Sequence, residues 1–396
     1  MAIKGIKSVD FIITGTGEGV VNHNGAFKVY NPAAEQMVEN HMYPKLRGLD
    51  PLQRVASNDG AKSMSMSLSD PAIAKAGLII SSETVRAALF RDASFGLVRV
   101  DRDNVVDVLA SLHGLVRGYL MTETGGSFPR KSPLHVVDLE CEKPGLTFNQ
   151  GTNSKLRGTV HEKSSMYSYF KTDKDLVYQG KASMSIEDLQ FIPLENSLSR
   201  SAYDHQISVQ TGQVIARRVT EYLVDIAESG LAPEATFVKK ALRVGGIAKV
   251  GDAGLLLNDD ALRVLVREVR MLLESLSIRQ GKGFMSVTHV VVDYNDTTRL
   301  FRCAGDASIA NNSDQGEFAR YYKEEPLSDG AFDKWQIELA DAKKAFDKKK
   351  VAEKKAVTSK KEKLKMGSES AQGVDDLESP EGAESASDAP SAQATV

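Results

Sequence analysis

The sequence is poor in cysteine and has no long apolar run. Its two cysteines among 396 residues, Cys141 and Cys303, lie far apart and outside any C-x-x-C pair. This usage excludes a disulfide framework and a four-cysteine zinc site. No run of about 18 apolar residues is present, which excludes a membrane-spanning helix. The first ten residues lack the apolar stretch of a secretion signal, so we expect a cytoplasmic protein with reduced thiols.

Motifs of common enzyme classes are also missing. There is no G-x-x-x-x-G-K-[ST], G-x-S-x-G or H-E-x-x-H, and the seven histidines are scattered. The segment G-T-G-E-G at residues 15–19 is not a dinucleotide-binding fingerprint and is interpreted as a glycine-permitted turn or bulge. His113, on the apolar side of a predicted helix, is expected to be packed. We therefore expect no metal, no cofactor and no catalytic residue, and so not an enzyme.

The net charge of −3 conceals a strong asymmetry near the end of the sequence. Residues 334–365 hold 12 lysines and 5 acidic residues, whereas residues 366–396 hold no basic and 7 acidic residues. The rest of the chain again sums to −3, so bulk charge does not favour a polyanion partner. Any such partner must bind a local basic groove.

Composition divides the chain into three parts. Residues 1–325 form the predicted body, and residues 326–365 alternate lysine, alanine and acids in the manner of an exposed helical extension. Residues 366–396 have too few apolar side chains to fold, so we expect a disordered acidic tail. The Lys-rich extension is favoured as a solvated helix over a basic arm for nucleic acid.

The body mixes strand and helix patterns, which predicts an α+β fold. Alternating or β-branched residues predict strands in residues 8–17, 186–194 and 284–295. Helical spacing and capping residues predict helices over 82–92, 103–118, 213–228 and 259–276. The polar stretches 24–77 and 142–182 fit neither pattern and are interpreted as insertions.

Short basic segments recur where turns are expected, several of them beside glycine. Arginine and lysine bind phosphate through charge-assisted hydrogen bonds, and glycine lets a backbone N–H approach. The alternative for each is a helix cap or a surface ion pair. The segments contain Lys45 and Arg47, Arg86 and Arg91, Arg117, Arg130 and Lys131, Lys155 and Arg157, Lys239, Lys240 and Arg243, and Arg279 and Lys282.

Aromatic residues lie near some of these segments. Tyr119, Tyr167, Tyr169, Phe170 and Phe284 are of this kind, and bases stack on such rings in single-strand binding. The alternative is that these rings belong to the core, and for Phe284, at the start of a strand, that alternative is at least as good.

Eight segments occur in an order typical of one family. They are SVDFIITGTGEGVVNHNG, PKLRG, ISSETVRAALFRDA, LASLHGLVRGY, SIEDLQFIPL, GLLLNDDALRVLV, LSIRQGKGF and VDYNDT, within residues 8 to about 323. The set resembles the crRNA-coating backbone subunits (RAMP superfamily) of class 1 CRISPR effector complexes, known as Cascade, and in particular that of the minimal type I-F variant. Residues 149–165 are hard to match to this pattern residue by residue, and residues 331–396 have no counterpart in it.

The resemblance implies a fold and a function. The fold is a modified ferredoxin-like (RRM-type) palm with inserted fingers and a β-hairpin thumb at about 147–182. Copies of the chain would stack head to tail along the spacer of the crRNA, beside other CRISPR effector subunits. Target DNA would pair with the exposed bases, so that base pairing and not the protein reads sequence.

The resemblance also assigns residues. The RNA-binding positions it implies are His23, Asn24, Lys45, Arg47, Ser81, Ser82, Arg86, Arg117, Arg279, Gln280 and Lys282. The basic segments add Arg130 and Lys131, and in the thumb Lys155 and Arg157. Met166, Tyr167 or Phe170 would wedge between bases. Two alternatives stay open: an RNA-cleaving backbone subunit of a related effector, and a generic single-strand-binding filament protein.

Overall fold

The computed structural model describes most of the body and the start of the extension. The described residues are 3–24, 27–31, 36–40, 43–49, 52–54, 62–64, 71–123, 126–153, 165–195, 201–246, 251–280, 283–303, 306–338 and 341. The chain divides into two units, Met1–Phe332 and Asp333–Val396. Residues 329–338 are helical, and the rest of the predicted Lys-rich extension, apart from residue 341, lies outside the described residues, as does the acidic tail.

A central antiparallel sheet holds seven strands of the described chain. Residues Val9, Phe11 and Ile13 alternate into the core, which confirms the strand predicted at residue 8. Along the sheet the order is Ser277–Gln280, Gly283–Asn295, Ser8–Glu18, Leu176–Ser185, Leu139–Cys141 and Leu78–Ile80, with Leu134–Val136 also pairing with Leu176–Ser185.

The glycines of G-T-G-E-G accommodate an irregularity between two central strands. The register of Ser8–Glu18 against Gly283–Asn295 shifts between Thr14 and Gly15. A Cβ at Gly17 would overlap the carbonyl oxygen of Phe284. The interpretation as a bulge is therefore confirmed, and the glycines serve close backbone packing.

Three predicted helices are confirmed, with shifted ends. Asp259–Glu274 follows Asn258, whose side chain accepts a 2.8 Å hydrogen bond from the N–H of Ala261. Val209–Asp225 begins four residues earlier than predicted, because Ser208 accepts from the N–H of Thr211 at 3.0 Å. Ser82–Leu89 is the third.

Two predicted elements are wrong in part. Residues 103–118 do not form one helix but an α-helix, Val105–Leu109, and a π-helical turn, His113–Arg117. A Cβ at Gly114 would overlap the carbonyl oxygen of Val108, so the turn packs directly on the helix. The second element is the strand predicted over residues 186–194, of which only the later part is a strand.

The first five residues of that segment, Ile186–Gln190, form a helix before the strand Phe191–Pro193. Ser185 caps the helix by accepting from the N–H of Asp188 at 3.2 Å. The strand joins a second antiparallel sheet in the order Phe191–Pro193, Asp252–Leu257, Ala235–Arg243 and Tyr322–Glu324.

The polar insertions carry smaller elements. In residues 24–77 these are the strands Phe27–Asn31, Gln36–Asn40, Leu52–Arg54 and Lys62–Met64 and the helix Pro71–Lys75. Thr147–Asn153 and Ser165–Lys171 form a hairpin, as do Tyr119–Glu123 and Gly126–Arg130, and Ala307–Ile309 is a 3₁₀ turn. The predicted thumb range 147–182 thus spans this first hairpin and part of the central strand Leu176–Ser185. Helices with almost wholly antiparallel sheets confirm the α+β class.

Candidate nucleic-acid interface

Two loops meet beyond the end of the strand Ser8–Glu18. The N–H of Asn24 donates to the carbonyl of Tyr43 at 2.7 Å, and the N–H of Lys45 donates to the carbonyl of Asn22 at 3.0 Å. His23 is half-buried beside Pro44, and burial lowers the pKa of its imidazole. Sequence positions about 20 residues apart are therefore held side by side, as the assignment of both segments to one site requires.

The second of these loops continues to the start of the helix Ser82–Leu89. The carbonyl of Lys45 accepts from Ile79 at 3.0 Å, and the N–H of Arg47 donates to the carbonyl of Gly77 at 2.8 Å. The side-chain amide of Asn22 contacts the hydroxyl of Ser81 at 3.4 Å. Three of the matched segments thus form one hydrogen-bonded cluster.

The helix start itself already holds an anionic group. Asp138 accepts a 2.8 Å hydrogen bond from the N–H of Ser82. The hydroxyl of Ser81 makes no cap and lies 3.1 Å from that of Thr84. A carboxylate at a helix N-terminus accepts a hydrogen bond from an N–H that has no partner within the helix, and it interacts favourably with the positive end of the helix dipole. Asp138 therefore occupies the position at Ser82 where a phosphate was expected. Nothing in the local sequence signals Asp138, which is 56 residues away.

Two predicted arginines share a cavity of about 650 Å³ next to this helix. Arg86 donates through Nη2 to the carbonyl of Arg117 at 2.7 Å, and burial and the charge of Arg117 lower the pKa of Arg86. Arg117 donates through Nη1 to the hydroxyl of Ser94 at 3.0 Å and reaches Nδ1 of His113 at 3.3 Å. Both guanidiniums are half-buried and positioned by neighbouring polar atoms.

His113 is packed, as expected, with 5% of its surface exposed. Burial, and then the charge of Arg117, lower its pKa to about 4. In the unfolded chain its pKa is about 6.5, so between these values the unfolded state binds more protons. We expect the free energy of unfolding to fall by about 1–3 kcal/mol as pH drops from 6.5 to 4. Denaturant melts of wild type and His113→Gln over this range should show a flatter profile for the variant, and parallel profiles would contradict the assignment.

A fourth matched segment, which includes the strand Ser277–Gln280 and Gly283, reaches the same end of the sheet. Gly283 lies so close to Val20 that a Cβ would overlap the Val20 carbonyl oxygen. Arg279 and Gln280 are exposed on the strand that leads into this turn, and Lys282 lies outside the described residues. Because Val20 leads directly into residues 22–24, this segment joins the cluster of the first three.

The cations of this cluster differ in their partners. Arg47 pairs with Glu140 at 3.0 Å and with Glu142 at 3.4 Å. Among the described residues, Lys45 and Arg279 make no ion pair. An unpaired cation can bind a phosphate without first breaking a salt bridge, so these two side chains are the best placed for an anionic strand.

Comparison with known protein families identifies the family of this chain. The model of a family described as Type I-Fv CRISPR-associated protein Cas7fv-like matches residues 5–325. The chain belongs to the Cas7fv-like family. This confirms the resemblance to the backbone subunits of class 1 effectors, and it covers the whole central sheet. No curated protein matches the chain.

In this Cas7fv-like protein, Arg130 and Lys131 are not placed with the cluster. Arg130 is 5% exposed and donates through Nη2 to the carbonyls of Leu115 and Asp188, at 3.1 and 3.2 Å. Burial lowers its pKa to about 10. Lys131 is exposed and pairs with Asp188 at 2.9 Å. The basic segment FPRKSP therefore ties elements together, since a guanidinium enclosed by carbonyls is not available to phosphate.

In the Cas7fv-like chain, the hairpin formed by Thr147–Asn153 and Ser165–Lys171 is anchored at its base. The ring of Phe170 packs edge to face on Tyr43, with centroids 5.4 Å apart. The N–H of Gly19 donates to the hydroxyl of Thr172 at 3.0 Å. Phe170 therefore belongs to the anchor and is a poor candidate for the wedge between bases. Met166 and Tyr167 lie in the strand Ser165–Lys171, and Lys155 and Arg157 lie outside the described residues.

The described residues offer neither a membrane-spanning helix nor a metal site. None of the described helices has the length and apolar character needed to cross a bilayer. In the same residues, histidine, cysteine and acidic side chains form no group of three or more that could hold a metal ion. Cys141 and Cys303 are buried free thiols, and burial raises the pKa of each.

Proposed function

We propose that this Cas7fv-like protein coats the spacer part of a crRNA as a non-catalytic, repeated backbone subunit of a type I CRISPR effector. The observation that carries the proposal is the meeting of four matched segments at one end of the central sheet, with Lys45 and Arg279 unpaired among the described residues. Half-buried Arg86 and Arg117 add charge nearby. A site of this kind grips backbone phosphates and leaves base identity unread.

The strand order supports a ferredoxin-like palm. The first strand, Ser8–Glu18, lies between Gly283–Asn295 and Leu176–Ser185. The helices Ser82–Leu89 and Asp259–Glu274 fall in the connections that a β-α-β-β-α-β arrangement requires. We assign the elements within residues 24–77 to the fingers and the hairpin of residues 147–171 to the thumb.

The partners follow from the family. Copies of the chain would stack head to tail along the crRNA, next to other effector subunits. Target DNA would be bound through pairing with the crRNA, in the cytoplasm where invading DNA is met. A local site on a chain of net charge −3 suits this arrangement, because a bound guide and not a basic surface selects the target.

RNA binding tests the proposal. We expect full-length protein to bind single-stranded RNA in fluorescence anisotropy, with log K falling as log salt rises. Lys45→Ala and Arg279→Ala should each weaken binding about tenfold, as expected for one charge-assisted contact. Each should also reduce the salt slope by about 0.7, the value for one phosphate of a single strand.

Arg218→Ala is the matched control, because Arg218 is exposed but engaged by Asp107 and Glu221. It should leave RNA affinity unchanged. No binding by the wild type at low salt would refute the proposal, and wild-type affinity in both Lys45→Ala and Arg279→Ala would refute the interface. Incubation of the RNA complex with complementary RNA and Mg²⁺ should give no cleavage, whereas regularly spaced cuts would establish the RNA-cleaving alternative.

A further inference from the structure

Phe284 is exposed at the start of a strand where its neighbours are buried. Its side chain is 45% exposed, whereas Gly283 and Met285 on either side are buried. A large aromatic ring left in water on an otherwise regular sheet forgoes much of the stabilisation that burial would give it. Among the two sequence-based interpretations of this ring, the structure favours the surface one.

Charged side chains flank the ring on both sides. Phe284 is directly opposite Arg279 on one neighbouring strand and opposite Glu18 on the other. Residues directly opposite in antiparallel strands share a face of the sheet, so the three side chains lie in a row. The next row has Ser286 between Ser277 and Thr16, and the hydroxyls of the two serines are 3.0 Å apart. These small residues leave the ring uncovered.

The backbone of the ring-bearing residue is held from two directions. A Cβ at Gly17 would overlap the carbonyl oxygen of Phe284, and one at Gly283 would overlap that of Val20. Such close backbone contacts leave little room for the strand to shift. The backbone that carries the ring is therefore preorganised, which lowers the entropy cost of stacking a ligand on it.

The ring lies along the route of the proposed RNA strand. Arg279 is its direct neighbour, and the turn at Gly283 abuts the loop that holds Lys45. Glu18 repels phosphates, so the backbone of a bound strand passes on the Arg279 side and directs its base across the ring. A flat apolar face beside a cation is the arrangement on which unpaired bases stack.

We propose that Phe284 is a base-stacking platform, on which one unpaired nucleobase of the bound RNA lies while the adjacent phosphate contacts Arg279. This rests on the proposed function and adds to it a contact with a base. Stacking on Phe284 would use only the face of a nucleobase, so we expect no preference for one base over another.

RNA affinity measured with full-length protein tests the platform. Phe284→Ala should weaken binding of a single-stranded RNA about 10–100-fold. Phe284→Leu, which keeps an apolar side chain, should weaken RNA binding to a similar extent. Phe284→Tyr, which keeps an aromatic ring, should bind RNA with wild-type affinity. Val177→Ala is the matched control, since Val177 is exposed on the same face opposite Thr16 and should leave affinity unchanged.

An abasic RNA of the same length separates stacking from backbone contacts. It should bind wild type more weakly than the normal RNA, and Phe284→Ala should not weaken its binding further. Equal losses on both RNAs, or wild-type affinity in Phe284→Leu, would overturn the platform while leaving the proposed function intact. If Phe284→Ala kept its RNA affinity but lost self-association, the platform would be overturned in favour of a contact between copies of the chain. Failure of the wild type to bind either RNA would overturn both proposals.

Discussion

Arg302→Met is expected to lower the free energy of unfolding by about 3–5 kcal/mol. Arg302 binds the fully buried carboxylate of Asp293 through Nη2 and Nε, at 2.6 and 3.2 Å. Asp10, also buried, is directly opposite Asp293 on the next strand. Its hydrogen bonds come from neutral groups, the hydroxyls of Ser8 and Ser183 and the amide of Asn295. Loss of the guanidinium would leave two buried carboxylates side by side without a cation.

Denaturant unfolding measures this effect. Adding Asp293→Asn to Arg302→Met should recover about 1–2 kcal/mol, because the uncompensated charge is removed. Arg299→Met, at an exposed arginine in the same loop, should change stability by less than about 0.5 kcal/mol. Equal stability of Arg302→Met and wild type would show that the pair is not formed.

Gly283→Val is expected to weaken RNA binding about 100-fold. A side chain at this position would meet the backbone of Val20, with its carbonyl carbon 2.6 Å and its nitrogen 3.0 Å from the added Cβ. Backbone cannot rotate away as a flexible side chain can, so the turn must move off the loop of residues 20–24. That movement would separate Arg279 and Phe284 from Lys45 and remove both the proposed phosphate contact and the proposed base contact.

Gly330→Val is its matched control, because nothing lies within 4 Å of a Cβ there. Anisotropy with single-stranded RNA and thermal melts should be run on both variants. Gly283→Ala should show a smaller loss in the same direction, which keeps the test valid if the valine variant does not fold. Native stability together with wild-type RNA affinity in Gly283→Val would contradict the placement of this turn.

Regular elements were predictable where local sequence decides them. The amphipathic spacing and Asn258 cap of Asp259–Glu274 needed no tertiary information, and neither did the alternation in Ser8–Glu18. The helix Ile186–Gln190 was missed although the local sequence carries a signal for it. Ser185 with Asp188 three residues later is a capping signal within a segment interpreted as strand.

The candidate site was predictable in part. The ordered segments indicated the family, and four of them meet at one end of the central sheet. Burial and ion pairing could not be foreseen, because they depend on residues distant in sequence. The sequence assigns Arg130 and Lys131 to the same basic segment. In the structure Arg130 is enclosed by backbone carbonyls, whereas Lys131 pairs with Asp188. Phe284 needed the sheet register to be distinguished from a core ring.

The ion pairing of the arginines and lysines has a consequence for the rate of the proposed RNA binding. Arg47, Lys131 and Arg243 are each neutralised by carboxylates within 3.0 Å, on a chain whose net charge is −3. The potential a Debye length away, about 8 Å in cells, is therefore weak. We expect the proposed association with RNA to proceed nearer to the unsteered rate of about 10⁵–10⁶ M⁻¹s⁻¹ than to the steered rate of about 10⁸–10⁹ M⁻¹s⁻¹. For the proposed complex we therefore expect slow dissociation, through many short-range contacts along the strand, to determine how long the RNA stays bound.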